Sequence, residues 1–394
     1  MIYLDYNAST PVDPAVREAT LPYLGEFYGN PSSGHSMGQA VKAAVERARG
    51  QVASLLGAQP DEIVLTSGGT EANNHVVKGV AGSLRNRGNH IITTAIEHPA
   101  VVNPCRYLEK KGFEVTYVGV DPTGRVDPQA VIEEIRPTTI LISVMHANNE
   151  VGTIEPIEEI AEIAREGGIW VHTDAAQSCG KIETRVDTLG VHFLSIAGHK
   201  LYAPQGIGAL YIRRGVEIEP LHHGAGHERG RRAGTEPVAN IVALGMACER
   251  AEHYLRSGTQ GRRNEGTGGR RDETARGPHD QAALRDRLHR GLLEAFGNDA
   301  VLLGHPELRL PNTLNIGFRG RIGAEILAAC PDLCASIGAA CHSGRHERSA
   351  TLAAMNVPEE VAFGAIRFSV GRFTTEAEID AAVEQIVTGI RALH

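Results

Sequence analysis

E-I-V-L-T (62–66), H-I-I-T-T-A (90–95), F-E-V-T-Y-V (113–118), T-I-L-I-S-V-M (139–145), I-W-V-H-T-D (169–174), H-F-L-S-I-A (192–197) and I-G-A-L-Y-I (207–212) are seven short apolar, β-rich runs, with segments of helical period between them. This alternation predicts an α/β architecture with a mainly parallel seven-stranded sheet flanked by helices. The stretch P-I-E-E-I-A-E-I-A-R-E (156–166) places apolar residues at helical spacing with acids between them, as a helix covering such a sheet would. Ligands of open sheets of this kind sit beyond the carboxyl ends of the strands, so strand-end residues are the first candidates for chemistry.

Outward from this region the pattern changes. Near residue 240 it becomes helical (I-V-A-L-G-M-A-C-E-R-A-E-H-Y-L), and later come short strands, T-L-N-I-G-F (313–318) and A-I-R-F-S-V (365–370). A smaller α+β domain is therefore expected from residues 1–14 and 251–394, beside a large ligand-binding domain over 15–250. Residues 256–279 have almost no apolar content and are expected to form an exposed Gly/Arg-rich loop. There is no internal repeat.

The chain has 394 residues, 42% hydrophobic and 22% charged, which suits a globular enzyme with a large core rather than a disordered or fibrous chain. Lys plus Arg number 39 against 47 Asp plus Glu, so a net charge of −8 gives no overall electrostatic reason to bind nucleic acid. No apolar run is long enough to span a membrane and the opening residues lack a signal peptide, so a cytoplasmic protein is expected. The six cysteines are scattered, as free thiols of a reducing compartment are. Cys330, Cys334 and Cys341 fit no tight zinc spacing, and no metal is expected.

Four elements could carry chemistry. T-S-G-G-T-E-A-N-N (66–74) follows a strand and leads into a helix, where small residues and a helix dipole suit a phosphate; an ordinary turn with a helix cap would look alike. Asp174 in W-V-H-T-D-A-A-Q ends an apolar strand, and either caps a helix or keeps a pyridine nitrogen protonated. Lys200, one of only six lysines, follows another strand; at a buried edge its amine would be driven toward the neutral, nucleophilic form, whereas at the surface it would simply be solvated. Cys341 lies among small residues in A-S-I-G-A-A-C-H-S-G, either as an inert buried thiol or as a reactive one.

Together these elements resemble the cysteine desulfurases, a branch of the class V, fold-type I pyridoxal-phosphate enzymes. The resemblance runs from Y-L-D-Y-N-A-S-T-P-V-D through G-N-P-S-S, T-S-G-G-T-E, E-H-P-A-V, A-N-N-E-V-G, H-T-D-A-A-Q, G-H-K, R-A-G-T-E and G-A-A-C-H-S to I-R-F-S-V-G-R-F-T-T-E, nearly the whole chain except 256–279. It implies pyridoxal 5'-phosphate on Lys200, with Asp174 at the pyridine nitrogen, Gln177 and Asn149 around the ring hydroxyl, and His98 stacked on the ring and handling protons. It further implies that Gly69, Thr70 and His199 hold the phosphate, with Thr235 reaching across from the second subunit of a homodimer. Arg367, with Asn149, would bind the substrate, the guanidinium clamping the carboxylate of L-cysteine, and Cys341 would accept its sulfur as a persulfide bound for an acceptor protein.

The chain departs from the pattern in two places. Ala197 stands where many desulfurases carry a phosphate-binding serine, and S-I-A-G-H-K, A-A-C-H-S-G and N-V-P-E-E-V-A are similar to selenocysteine lyases. The charged G-R-H-E-R-S-A after Cys341 is a further departure, expected to tune which acceptor takes the sulfur. Alternatives are a selenocysteine lyase acting on L-selenocysteine, a class V aminotransferase or β-lyase in which Cys341 is incidental, and a non-catalytic scaffold, which the intact Lys200, Asp174, His98 and Cys341 argue against.

Overall fold

A computed structural model of the chain describes residues 1–260, 277–342 and 345–393. The seven apolar runs become the strands β1 (Ile63–Thr66), β2 (His90–Thr94), β3 (Glu114–Val118), β4 (Thr139–Ser143), β5 (Trp170–Asp174), β6 (Phe193–Ala197) and β7 (Gly208–Ile212). They form one sheet in the order β1-β7-β6-β5-β4-β2-β3. Only β7 runs against its neighbours; β6, β5, β4, β2 and β3 pair in parallel. Since β7 is antiparallel to both β1 and β6, six strands point their carboxyl ends to the same edge.

The strand runs are mostly apolar because helices cover both faces of the sheet, except at the edge strand β3, where Glu114 is exposed. On one face Leu65, Ile92, Ile142, Val171, Leu194 and Tyr211 join a core with residues of α1 (Ser36–Leu56), α4 (Ile157–Glu166) and α5 (Val238–Gln260). On the other, Val64, Ile91, Leu141, Phe193 and Leu210 meet α2 (Gly69–Ser83) and α3 (Pro99–Glu109). Each fully buried Leu, Ile or Phe contributes roughly 1.5–3 kcal/mol from leaving water. Among the buried polar side chains of the strands is His172 in β5, whose Nδ1 meets Ser143 Oγ at 2.8 Å and whose Nε2 meets Ser195 Oγ at 3.0 Å. Complete burial pushes its pKa down to about 3, so the ring is a neutral cross-strand link.

A second, four-stranded antiparallel sheet contains β8 (Ala300–Leu303), β9 (Thr313–Phe318), β10 (Ser336–Ile337) and β13 (Ala365–Ser369), in the order β10-β13-β9-β8. Leu314, Ile316, Ile366 and Phe368 pack against Leu284, Leu288 and Leu292 of α6 (Pro278–Phe296) and Ile379, Ala382 and Ile386 of α7 (Glu376–Ala392). Ile2 and Leu4 belong to the same core, because Ile2–Tyr3 pairs in parallel with Leu333–Cys334. The stretch around Cys341 is a two-stranded antiparallel hairpin of β11 (Ala339–His342) and β12 (Arg345–Arg348), with Cys341 opposite His346.

The expected loop at 256–279 needs correction at both ends. α5 continues to Gln260, supported by the Arg256–Glu252 ion pair one turn apart, and α6 begins at Pro278; residues 261–276 lie outside the described ones. Exposed polar side chains on a helix end read as loop when composition alone is weighed. Among the described residues, no helix is long and apolar enough to cross a membrane.

One buried ion pair ties α1 to β1. Arg49 donates to both carboxylate oxygens of Glu228, at 2.6 and 2.9 Å, and to the Ile63 carbonyl at 3.1 Å, while Glu228 also accepts from the Leu65 N–H at 2.8 Å. Glu228→Ala strands the Arg49 charge, so chemical denaturation should show a loss of about 3–5 kcal/mol.

Candidate active site

At the common carboxyl edge of the sheet lies a cavity of about 490 Å³. Its walls come from the ends of the parallel strands: His98 after β2, Met145 and Asn149 after β4, Asp174 at the end of β5 with Gln177 beyond it, and Ala197, His199 and Lys200 after β6. Gly69 and Thr70 add the first turn of α2, Asn7 and Ala8 the N-terminal segment, and Arg367 the strand β13 of the second sheet. Nine of the eleven candidates therefore meet in one space: Lys200, His98, Gly69, Thr70, Asn149, Asp174, Gln177, His199 and Arg367. Thr235 is exposed and not among the lining residues. Cys341 is placed by its backbone in β11; its side chain lies outside the described residues.

The Lys200 amine donates to the carbonyl oxygens of Asn7 and, at 2.9 Å, of Ala8. Burial, and after it the Arg367 charge, push its pKa down to about 8 against the opposing effect of Asp5 and Asp174. A substantial fraction is therefore a neutral nucleophile near physiological pH. Asp174, only 6% exposed, is held from two sides: Asn73 Nδ2 donates to Oδ2 at 2.6 Å and the Ala176 N–H to Oδ1 at 2.9 Å. Such a carboxylate is a fixed negative charge at the floor of the cavity.

His98 caps α3, its Nδ1 accepting from the Ala100 N–H at 3.1 Å. Withdrawal from bulk water lowers its pKa and Lys200 adds to that, against Asp174. Burial, then Lys200, pushes His199 down to about 4; its Nδ1 is buried without a partner. Both rings are thus neutral, each able to give or take a proton or hydrogen bond.

The α2 terminus is built for an anion. Gly68 precedes the helix with φ of +147°, a conformation that favours glycine, and caps it with no side chain, so the first N–H groups of a 15-residue helix open toward the cavity wall. A side chain at Gly208 of β7 would place its Cβ 2.7 Å from the Gly68 Cα, so the turn packs against bare backbone. Ala197 supplies no hydroxyl here, and Thr70 and His199 are polar side chains on the same cavity wall.

Arg367 is held in place by three hydrogen bonds. Its NH2 donates to Asp5 Oδ1 at 2.7 Å and Ser336 Oγ at 2.9 Å, its NH1 to the Asn149 carbonyl at 3.0 Å, and Nε is buried without a partner. Asn7, Asn73, Asp5 and Ser336 also belong to the site, beyond the residues that the sequence singles out. Asn7 and Asn73 stand inside the quoted motifs, but no pattern in the sequence shows that a residue near the start will touch Lys200. Cys105 and Cys179 are buried with thiols pushed up to about 12, which leaves them inert.

These residues fit pyridoxal 5'-phosphate: a lysine of lowered pKa, a fixed carboxylate, an unpartnered His199 nitrogen and an uncapped helix end occupy one cavity. Residues 2–258 match the aminotransferase class-V family. Cysteine desulfurase 2 of Trichormus variabilis is 47% identical over the whole of this chain and 94% of its own length. A solved NifS-like protein superposes with a TM-score of 0.89 at 37% identity over the full length of both chains, and a structure described as SspA in complex with cysteine gives 0.78 at 35% identity, over 95% of this chain and all of the other. The chain belongs to the class-V aminotransferase family, on its cysteine desulfurase branch. Enzymes of this branch depend on pyridoxal phosphate.

The lowered Lys200 pKa has a measurable consequence. Capture of pyridoxal 5'-phosphate by the cofactor-free protein, followed by absorbance, should accelerate about tenfold from pH 7 to pH 9, with its midpoint at about 8, and level off beyond. Lys200→Ala should leave no attachment that borohydride can fix.

Proposed function

We propose that this chain converts L-cysteine to L-alanine and passes the sulfur, as a persulfide on Cys341, to an acceptor protein. The observation that carries the reading is the meeting of Lys200, Asp174, His98 and Arg367 around one cavity with the α2 N-terminus at its wall. Bound on Lys200, pyridoxal phosphate would supply an electron sink for the pair left when the substrate α-proton departs.

The protein's own groups divide the remaining work. Asp174 would keep the pyridine nitrogen protonated, and Gln177 and Asn149 would face the ring oxygen. Gly69, Thr70 and His199 would hold the phosphate, with Thr235 supplied by the second subunit of a homodimer, in keeping with its exposure and its absence from the cavity lining of its own chain. Arg367, held by Asp5 and Ser336, would receive the substrate carboxylate through its fork of N–H donors. The Lys200 amine, free once substrate has displaced it, would take the α-proton, and neutral His98 would relay protons at the ring face.

The Cys341 thiolate would then attack the substrate sulfur. A sulfur–sulfur bond forms, the bond from sulfur to the β-carbon breaks, and the carbon skeleton leaves as alanine after protons return to it. The hairpin β11–β12 would present this thiol, and its charged strand 345–348 would select the acceptor. A reducing cytoplasm would keep Cys341 a thiol between turnovers. The separate apolar cores support a cofactor-binding unit of about residues 15–250 and a smaller unit of 1–14 and 251–394 that brings Arg367 and Cys341.

The hydroxyl-free wall at Ala197 keeps selenocysteine lyase as a second reading. The purified holoenzyme given L-cysteine should form alanine and a persulfide on Cys341; rapid turnover of L-selenocysteine with negligible alanine from cysteine would favour the second reading instead. Cys341→Ser should abolish the persulfide while the protein keeps its yellow colour, whereas a transaminase would be indifferent to the change. Arg367→Ala should raise KM for cysteine about tenfold or more, the loss of one charge-assisted clamp.

A further inference from the structure

Lys181 is a second buried amine beside the cavity, four residues beyond Gln177 and only 7% exposed. Its Nζ donates to Gln177 Oε1 at 3.0 Å and to Asn7 Oδ1 at 3.1 Å. The charged groups that act on it are Lys200 and Arg367, with the Cys179 thiol on the opposing side, and no carboxylate among them. Burial therefore drives its ammonium well below the usual lysine range, and the two cations add to the shift. A neutral amine has two N–H donors, and both are accounted for by these two acceptors.

The consequence falls on Gln177. With Oε1 engaged by Lys181, the amide turns Nε2 the other way, where one N–H reaches the Asn7 carbonyl at 2.9 Å. The second N–H remains for an oxygen in the cavity that Gln177 lines. Asn7 is itself fixed from the second sheet: Asn312 donates to its Oδ1 at 3.0 Å, and its own Nδ2 donates to Thr313 Oγ1 at 2.9 Å. Lys181 thus grips both groups that decide which way the amide faces.

We propose that Lys181 is a positioning residue, pinning the Gln177 amide so that it presents an N–H, and not its oxygen, to the ring oxygen of the bound cofactor. The proposal rests on the reading of Gln177 as a partner of that oxygen. A donor there stabilises the oxygen's full negative charge in the deprotonated form of the Schiff base at Lys200, so losing the donor raises the Schiff-base pKa.

The test is a pH titration of the visible absorption band of the holoenzyme, without substrate, for the parent, Lys181→Met, Gln177→Met and the double variant. Methionine fills the space of the lysine without its donors; Lys181→Gln, whose amide stops one bond short, replaces it if the methionine protein does not fold. The expected midpoint rises by about one pH unit in Lys181→Met, by at least as much in Gln177→Met, and no further in the double variant. An unmoved midpoint in the lysine variant beside a shifted Gln177→Met, or additive shifts in the double variant, would overturn the role of Lys181. No shift in Gln177→Met itself would instead remove the ring-oxygen reading, and the proposal with it.

Discussion

A primary amine held among low-dielectric walls beside a guanidinium is the constraint from which the rest of the site follows. Lys200 gains its nucleophilic form because burial and the nearby Arg367 both oppose its charge, and it stays in place because two backbone carbonyls accept its hydrogens. Such an arrangement needs walls that do not yield. The sheet supplies them: Lys200 and Asp174 hang from adjacent parallel strands whose both faces are packed with aliphatic side chains, so their separation is set by backbone spacing and not by side-chain choice.

The cavity is also where two separately packed sheets meet. Asp174, Gln177 and Lys200 come from the larger sheet; Arg367 and its supporting Ser336 come from the smaller one. The N-terminal segment joins them, since Asn7 touches Lys200, Gln177 and Lys181 on one side and Thr313, Asn312 and Ser369 on the other. The two sheets are thereby linked beside the Lys200 amine through one asparagine whose polar groups are all engaged.

What could be read from the sequence follows the physics of local signals. The seven strands of the large sheet announce themselves as apolar, β-rich runs because all but the edge strand β3 are buried along nearly their whole length, and Asp174 and Lys200 draw notice because a charged residue ending such a run is out of place. Asn7, Asn73 and Lys181 give no such signal: a polar residue near a strand end looks the same whether it is solvated or locked to a partner hundreds of positions away. The tail of α5 was misread for a related reason, since one polar helical turn past Leu255 has the composition of a loop. The hairpin holding Cys341 is built of small and charged residues, which carry little strand propensity, and its pairing arises from closure between its two arms.

The attachment of the first residues to the last strand bears on how the protein is made. Leu4 accepts from the Ser369 N–H at 2.7 Å and the Asn7 N–H donates to Ser369 Oγ at 2.9 Å, so this segment can settle only once a strand 362 positions away is in place. Until then the larger sheet can fold with its lysine facing an open, half-built cleft. The contacts between Asn7 and the Lys200 amine therefore wait on that long-range closure, which makes the finished geometry of the cavity a late event of folding.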